Sequence, residues 1–476
     1  MAVKDSQRYG FKKFLPAVAI QFCLAFSFII LQDLKVAVAL QHGGQNLLQT
    51  VKIWAGIPAS IILVCLYIWV ANKYERHKHL GIFILPIVFY FVIYGFYFYI
   101  NPAALHINTE RMIHLQTTYP GFDKLILMYG YWATSLFYIL ADIWAGFIVG
   151  VLFWQYMNDT TTVRQAKTFY PALGLFVSFG MVASKAVTLA VQQSDVHSNH
   201  TIQVFVGFVA LAGVLAVFIH YLVCKNVISK DKHPANVQHV KLNMTTLKTF
   251  GYVFTSKYLG LIALSVFAFG AILNLIGSLH GTYAYKMQKL GKMTPETYAE
   301  LANKITVIAT SFGFLFSVGA FLLSMYLLKK HGWFKAALVI PIFTILTACV
   351  LMYVTYDESL SKEFSPISYG LVFVLMMTVK QMKHFFFKPI KEMAYIPLKQ
   401  EMKVKGKAFV DLFVERFAFS FGAMTFAVAS YLSPITYNIE SLTYKIALLI
   451  IILSLLYLVA IWALAPKFEA AEIQEK

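Results

Sequence analysis

The stretch KNVISKDKHPANVQHVKLNMTTLKTFGYVFTSK, residues 225–257, is the longest basic polar run in an otherwise apolar chain. On either side of it lies an apolar run, 202–224 before and 258–281 after. Each is long enough to cross a bilayer, which takes about 20 apolar residues in a helix. Scanning outward gives further runs of that kind in both directions. Before the stretch they are 14–32, 53–71, 80–100, 125–157, 169–191 and 202–224; after it they are 258–281, 304–328, 335–354, 366–387, 408–432 and 444–465. The same number falls on each side, so 225–257 reads as a linker. The expected fold is an all-α membrane protein with twelve transmembrane helices: an N-terminal half 1–224, a cytoplasmic linker 225–257 and a C-terminal half 258–476.

Composition agrees. Of 476 residues, 59% are hydrophobic and only 13% are charged, too few polar groups to cover a soluble domain. Aromatic residues make up 16%, which suits helices with interfacial belts. A net charge of +18 would point to nucleic acid in a soluble protein, but its distribution gives a membrane explanation. With a cytoplasmic N-terminus, the inner segments hold 26 lysines and arginines, the outer segments nine, and five lie within or at the edges of spans. This bias is the positive-inside pattern. It predicts cytoplasmic N- and C-termini, a lipid bilayer as the surroundings and no nucleic-acid partner. The first apolar run ends in Gln32-Asp33 with no small-residue cleavage site. The polar N-terminus before that run is too short for a transit peptide, so a bacterial cell inner membrane is the expected location.

Cys23, Cys65, Cys224 and Cys349 all lie in apolar runs without CxxC spacing, so packed core positions are expected and no metal or cofactor is implied. The sequence contains no Walker-type glycine loop, HExxH or GxSxG, so no enzyme is expected and ATP hydrolysis in this chain is not the driving force. The two halves echo each other faintly. ANKYERHKHLGIFILPIVF (71–89) and LLKKHGWFKAALVIPIFT (327–344) both run from a short basic loop into a helix with a proline, Pro86 and Pro341. Parallel six-helix repeats are the organisation of the major facilitator superfamily, whose substrate site lies at the midplane between halves.

Ionisable residues inside spans cost about 3 kcal/mol each on insertion scales and mark cavities or partners. Lys35, in LQDLKVAVAL, lies deep if the helix continues past it; otherwise it is an interfacial lysine that snorkels. Lys52 opens the second span. Asp142 sits in YILADIWAGFIVG with long apolar flanks, and Lys185, in MVASKAVTLAV, is one candidate partner for it. The densest case is MMTVKQMKHFFFKPIKEM (376–393), with Lys380, Lys383, His384, Lys388 and Lys391. Their offsets bring Lys380, Lys383 or His384, and Lys388 or Lys391 towards one helix face. A self-repelling basic stripe is eased by an anion; the simpler alternative is snorkelling to anionic headgroups. Arg416 follows Glu415 in the next span. Lysines from both halves would suit phosphate groups, and Trp144, Trp154, Phe385 or Phe386 offer rings on which a nucleobase could stack. Lys399, Lys403, Lys405 and Lys407 read as cytoplasmic loop lysines.

The stretch KEMAYIPLKQEMKVKGKAFVD, 391–411, with Arg416 beyond it, resembles the signature of the nucleotide transporter family, the ATP:ADP antiporters of plastids and obligate intracellular bacteria. KKFLP (12–16), LQDLKVAVAL (31–40), KIWAGIPASIILVCLY (52–67), ADIWAG (141–146) and LFWQYMNDTTTVRQAKTFYPALGL (152–175) are similar to further family blocks in order and spacing. The resemblance covers nearly the whole chain. It implies a twelve-helix, major-facilitator-like carrier, acting as a monomer, that exchanges ATP and ADP by alternating access. Lys35, Lys52, Asp142, Lys185, Lys380, Lys383, Lys391 and Arg416 are the expected substrate-binding or coupling residues. The chain departs from the pattern at charged positions: Gly277 and Gly281 replace a glutamate and a lysine, Lys388 replaces an acid, Phe419 a lysine and Gln32 an arginine. These departures leave a second reading open, proton-driven import or exchange of another nucleotide such as GTP, UTP, CTP or NAD.

Overall fold

A chain this apolar must satisfy its backbone internally, and only helices or closed barrels do so in lipid. The computed structural model takes the helical solution. It describes residues 2–193, 198–228, 256–289, 316–356, 366–398, 402, 406–431 and 439–474, and no strand occurs among them. Nine helices among these residues are long and apolar enough to cross a membrane. A shorter apolar helix, Pro58–Lys73, occupies the second predicted span. Residues 316–330 and Pro366–Met382 are helical within the predicted eighth and tenth spans, so all twelve positions carry helix. The linker lies outside the described residues apart from 225–228 and 256–257.

We number the helices in that order: α1 (Ala2–Trp54), α2 (Gly56–Lys73), α3 (Arg76–Phe98), α4 (Trp132–Thr160), α5 (Val163–Gln193), α6 (Ser198–Val223), α7 (Lys257–Lys289), α8 (316–330), α9 (Gly332–Tyr356), α10 (Pro366–Met382 and its continuation to Tyr395), α11 (Phe409–Tyr431) and α12 (Ile439–Gln474). The first helix corrects one expectation. Residues 33–52, between the first two expected spans and counted with the outer segments, are helical, and the helix runs on to Trp54. Its one break is Gly44, with φ 63° and ψ −163°, a left-handed conformation open to glycine without a steric cost. Lys35 therefore sits within the helix. Gly332 uses the same freedom, at φ 83°, to turn the chain between α8 and α9.

The chain divides into two units. The first comprises Met1–Thr161, Phe176–Thr246 and Gln400–Phe413; the second comprises Thr162–Leu175, Leu247–Lys399 and Val414–Lys476. In the first, α1 packs chiefly against α6 and α4, and α3 against α6. Large aromatic side chains fill this core: Phe83 meets Phe147, and Phe91 meets both Phe137 and Trp144. In the second, α12 packs against α9 and α7, and α7 against α11. Phe269, Phe387 and Tyr457 meet at its centre. Cys65 and Cys349 are exposed on helix surfaces rather than packed in the core as expected, whereas Cys23 is buried. An apolar thiol needs no protein partner when its surroundings are lipid.

Among the described residues, π-helical stretches occur at Tyr94–Phe98 in α3, Trp144–Leu152 in α4, Cys224–Ile228 after α6, Lys383–Phe387 in α10 and Phe409–Val414 at the start of α11. Such stretches carry one extra residue per turn and occur disproportionately at functional sites.

A candidate anion site built from intramembrane ion pairs

In the first unit, Lys35 is only 7% exposed, and a lone buried ammonium would be costly. Its Nζ donates to Oδ1 of Asp142. It also lies 4.8 Å from the centre of the Tyr138 ring, one helical turn before Asp142. The aspartate is placed just before the π stretch of α4. Beside this pair, the Gln32 amide reaches the Ala141 carbonyl at 3.5 Å. Lys185 does not pair with Asp142, the partner suggested by sequence; its Nζ meets Oδ2 of Asp33 at 2.6 Å. Two residues apart on a helix point about 200° away from each other, so Asp33 serves α5 while Lys35 serves α4. At the other end of α4, Asp159 holds Arg76 at 3.0 Å, and Gln155 accepts from the Tyr67 hydroxyl.

In the second unit, Lys383 Nζ donates to Oε1 of Glu415 at 2.6 Å. Lys383 opens the π stretch of α10, and Glu415 directly follows that of α11. Lys391 lies 3.4 Å from Oε1 of Glu392 and is buried, like its partner. Pro389 shapes this segment. Lacking an N–H, it leaves the Phe385 carbonyl four residues back without its helical donor. The Ser324 hydroxyl from α8 supplies one at 2.9 Å. Trp333 Nε1 donates to the Ile390 carbonyl at 3.0 Å and the Tyr258 hydroxyl to that of Ala394 at 2.8 Å. The stretch 385–394, which leads into the signature, is thus fastened by side chains of three other helices. Gly174 approaches it closely, for a Cβ there would lie 2.8 Å from the His384 carbonyl oxygen.

The remaining expected site residues divide. Lys380 is exposed one turn before Lys383. Arg416 is half-buried beside Glu415. Lys52 lies in α1, with its side chain outside the described residues. Two expectations are corrected. Lys407, read as a loop lysine, is 1% exposed, and buried Asp411 lies one turn on from it in the same segment. Lys399, Lys403 and Lys405 lie outside the described residues. Trp144, Trp154, Phe385 and Phe386, suggested as surfaces for a nucleobase, are all fully buried in packing. Sequence reasoning passed over Asp33, Asp159 and Glu415 as partners. Their signal was present: each is an acid inside or at the edge of an apolar helix, where a cation is owed to it.

The arrangement has a definite chemistry. Lysines inside apolar helices are neutralised by carboxylates that an incoming anion can replace. The two pairs link α1 to α4 and α10 to α11.

Comparison with known proteins bears on the fold and the family. The chain is 15% identical to the proton:xylose symporter XylE of the major facilitator superfamily, with a TM-score of 0.61 over 94% of this chain and 95% of that one. A bacterial homologue of the iron transporter ferroportin in its outward-facing state gives a TM-score of 0.63 at 13% identity, over 95% and 99%. At these identities the likeness establishes the fold, which is major-facilitator-like. ADP,ATP carrier protein 3 of Rickettsia bellii is 25% identical over 94% of this chain and 93% of its own length. ADP,ATP carrier protein 4 of Rickettsia conorii is 26% identical over 97% and 93%. The family model described as the TLC ATP/ADP transporter matches residues 4–468, and the chain therefore belongs to the TLC ATP/ADP transporter family, a family of transporters rather than enzymes.

Proposed function

We propose that this protein is a nucleotide carrier that exchanges ATP for ADP by alternating access, as a monomer, in a bacterial inner membrane with both termini in the cytoplasm. The observation that carries the reading is the pair of intramembrane ion pairs, Lys35–Asp142 and Lys383–Glu415, each set at a π-helical junction. The phosphates are bound by Lys35, Lys52, Lys185, Lys380, Lys383, Lys391 and Arg416. Asp142 couples binding to movement, because it holds Lys35 when substrate is absent and gives it up when substrate is present. The relatives' names, ADP,ATP carrier proteins, support this substrate class.

The test is counterflow. Liposomes reconstituted with the full chain and preloaded with unlabelled ADP should accumulate labelled ATP, and empty liposomes should not. Equal net uptake into empty liposomes would refute exchange. Uptake abolished by a protonophore would indicate proton-driven import instead.

A further inference from the structure

Four lysines of the phosphate-binding reading above have a carboxylate partner: Lys35, Lys185, Lys383 and Lys391. Lys388 differs. Lys383 is matched by Glu415 at 2.6 Å and Lys391 by Glu392 at 3.4 Å. No carboxylate lies within ion-pair distance of Lys388 among the described residues, although it is half-buried and flanked by Phe387 and Pro389, both buried. The other charged groups in the ion pairs of this stretch are Lys383, Lys391, Glu415 and Glu392. Three cations thus face two anions, and Lys388 is the surplus one.

Its position follows from the π stretch. In an unbroken α-helix, five residues turn about 500°, leaving positions 383 and 388 about 140° apart. Here the Lys388 N–H bonds to the Lys383 carbonyl, the i→i+5 register of a π turn. That register brings Lys388 back towards the face of Lys383. Lys391, three residues on, shares that face by ordinary helical spacing. The extra residue in Lys383–Phe387 thus brings Lys388, which an α-helix would set about 140° from Lys383, round to join it. A fold does not gain stability by gathering like charges in an apolar setting; an anionic ligand is what the arrangement accommodates.

We propose that Lys388 is a specificity-determining residue, the surplus cation that makes the carrier favour the nucleotide with one more negative charge, the triphosphate over the diphosphate. The inference rests on the nucleotide-carrier reading and goes beyond it. Lys383 and Lys391 have local carboxylates that offset their pull on any phosphate. Lys388 has none within ion-pair distance, so its attraction grows with each added phosphate charge.

The experiment uses the full chain in phosphatidylcholine liposomes preloaded with ADP. Uptake of labelled ADP is competed with unlabelled ATP and ADP, and the ratio of their half-inhibitory concentrations is read. Wild type should favour ATP. Lys388→Met should lower that preference about tenfold, the scale of one unit charge acting at about 10 Å in a partly screened site. Lys388→Arg should keep it. A merely structural role would lower uptake and leave the ratio alone. An unchanged ratio in an active Lys388→Met carrier overturns the inference while leaving nucleotide exchange intact. A wild type that neither nucleotide inhibits overturns both readings. A preference that appears only when anionic lipid is added assigns Lys388 to headgroups and overturns the inference. If Lys388→Met fails to assemble, reductive methylation of wild type decides. ATP should shield Lys388 at a lower concentration than ADP, and equal labelling with and without saturating ATP refutes the idea.

Discussion

Replacing Asp142 with asparagine keeps its size and removes the charge that Lys35 needs. Lys35 is almost wholly buried and Asp142 is 22% exposed in its side chain. At contact, about 3 Å apart, two unit charges attract by about 5 kcal/mol at an effective dielectric of 20. Desolvation offsets much of this in the intact pair, but removing one partner exposes the full cost. Breaking a buried pair costs about 3–5 kcal/mol; the partial exposure of Asp142 argues for the lower end. Asp142→Asn should therefore destabilise the protein by about 3 kcal/mol, read from thermal or denaturant unfolding in detergent. The double variant Lys35→Met with Asp142→Leu removes both charges and should recover most of that stability, since apolar replacement of a buried pair is close to neutral. If the pair also couples substrate to movement, the double variant should fold and still fail to exchange nucleotide. Either of two results would sink the reasoning: Asp142→Asn as stable as wild type, or a double variant with full exchange.

Further predictions concern the scaffold. Ser324→Ala removes the donor that replaces the missing Pro389 N–H and should cost about 1–3 kcal/mol, the penalty for a buried unsatisfied carbonyl, measured by unfolding in detergent. A Cβ at Gly277 would meet no atom within 4 Å, so Gly277→Ala should raise stability by about 0.5–1 kcal/mol through helix propensity; a loss would show that the site must stay empty. His106, in the segment between α3 and α4, has its pKa lowered chiefly by burial, a contact with the Gly130 carbonyl acting the other way. A depressed histidine binds its proton more readily when unfolded. Stability should thus be level above about pH 6.5 and fall as pH drops below it. His106→Gln should flatten that slope, and an unaltered pH profile would count against the assignment.

Hydropathy and lysine placement carried the architecture, because a bilayer imposes helix length and loop charge directly. The charged residues were also legible as a set, since each stands out in apolar surroundings. Their pairing was not. Lys185 looked available to Asp142, but whether α1 continued past Asp33 decided the matter, and the Gly43-Gly44 pair, a local breaker signal, lies beyond Lys35 and says nothing of its partner. The burial of Lys407 was hidden for a similar reason. A run of lysines reads as solvated until the fold buries one of them beside Asp411. The π stretches were least legible, because periodicity reading assumes 3.6 residues per turn and the surplus residue looks like any other phenylalanine or valine.

That surplus residue has a consequence for how such a helix tolerates change in length. Losing one residue from a transmembrane helix ordinarily swings everything beyond it by about 100°, sending packed groups into lipid. Within Lys383–Phe387 the same loss would merely restore the commoner winding locally. The backbone would close with ordinary bonds, and Lys383 and Lys388, then four residues apart, would still share a face. The three adjacent phenylalanines, Phe385 to Phe387, therefore form a place where the chain can shorten by one without turning the residues beyond it out of place.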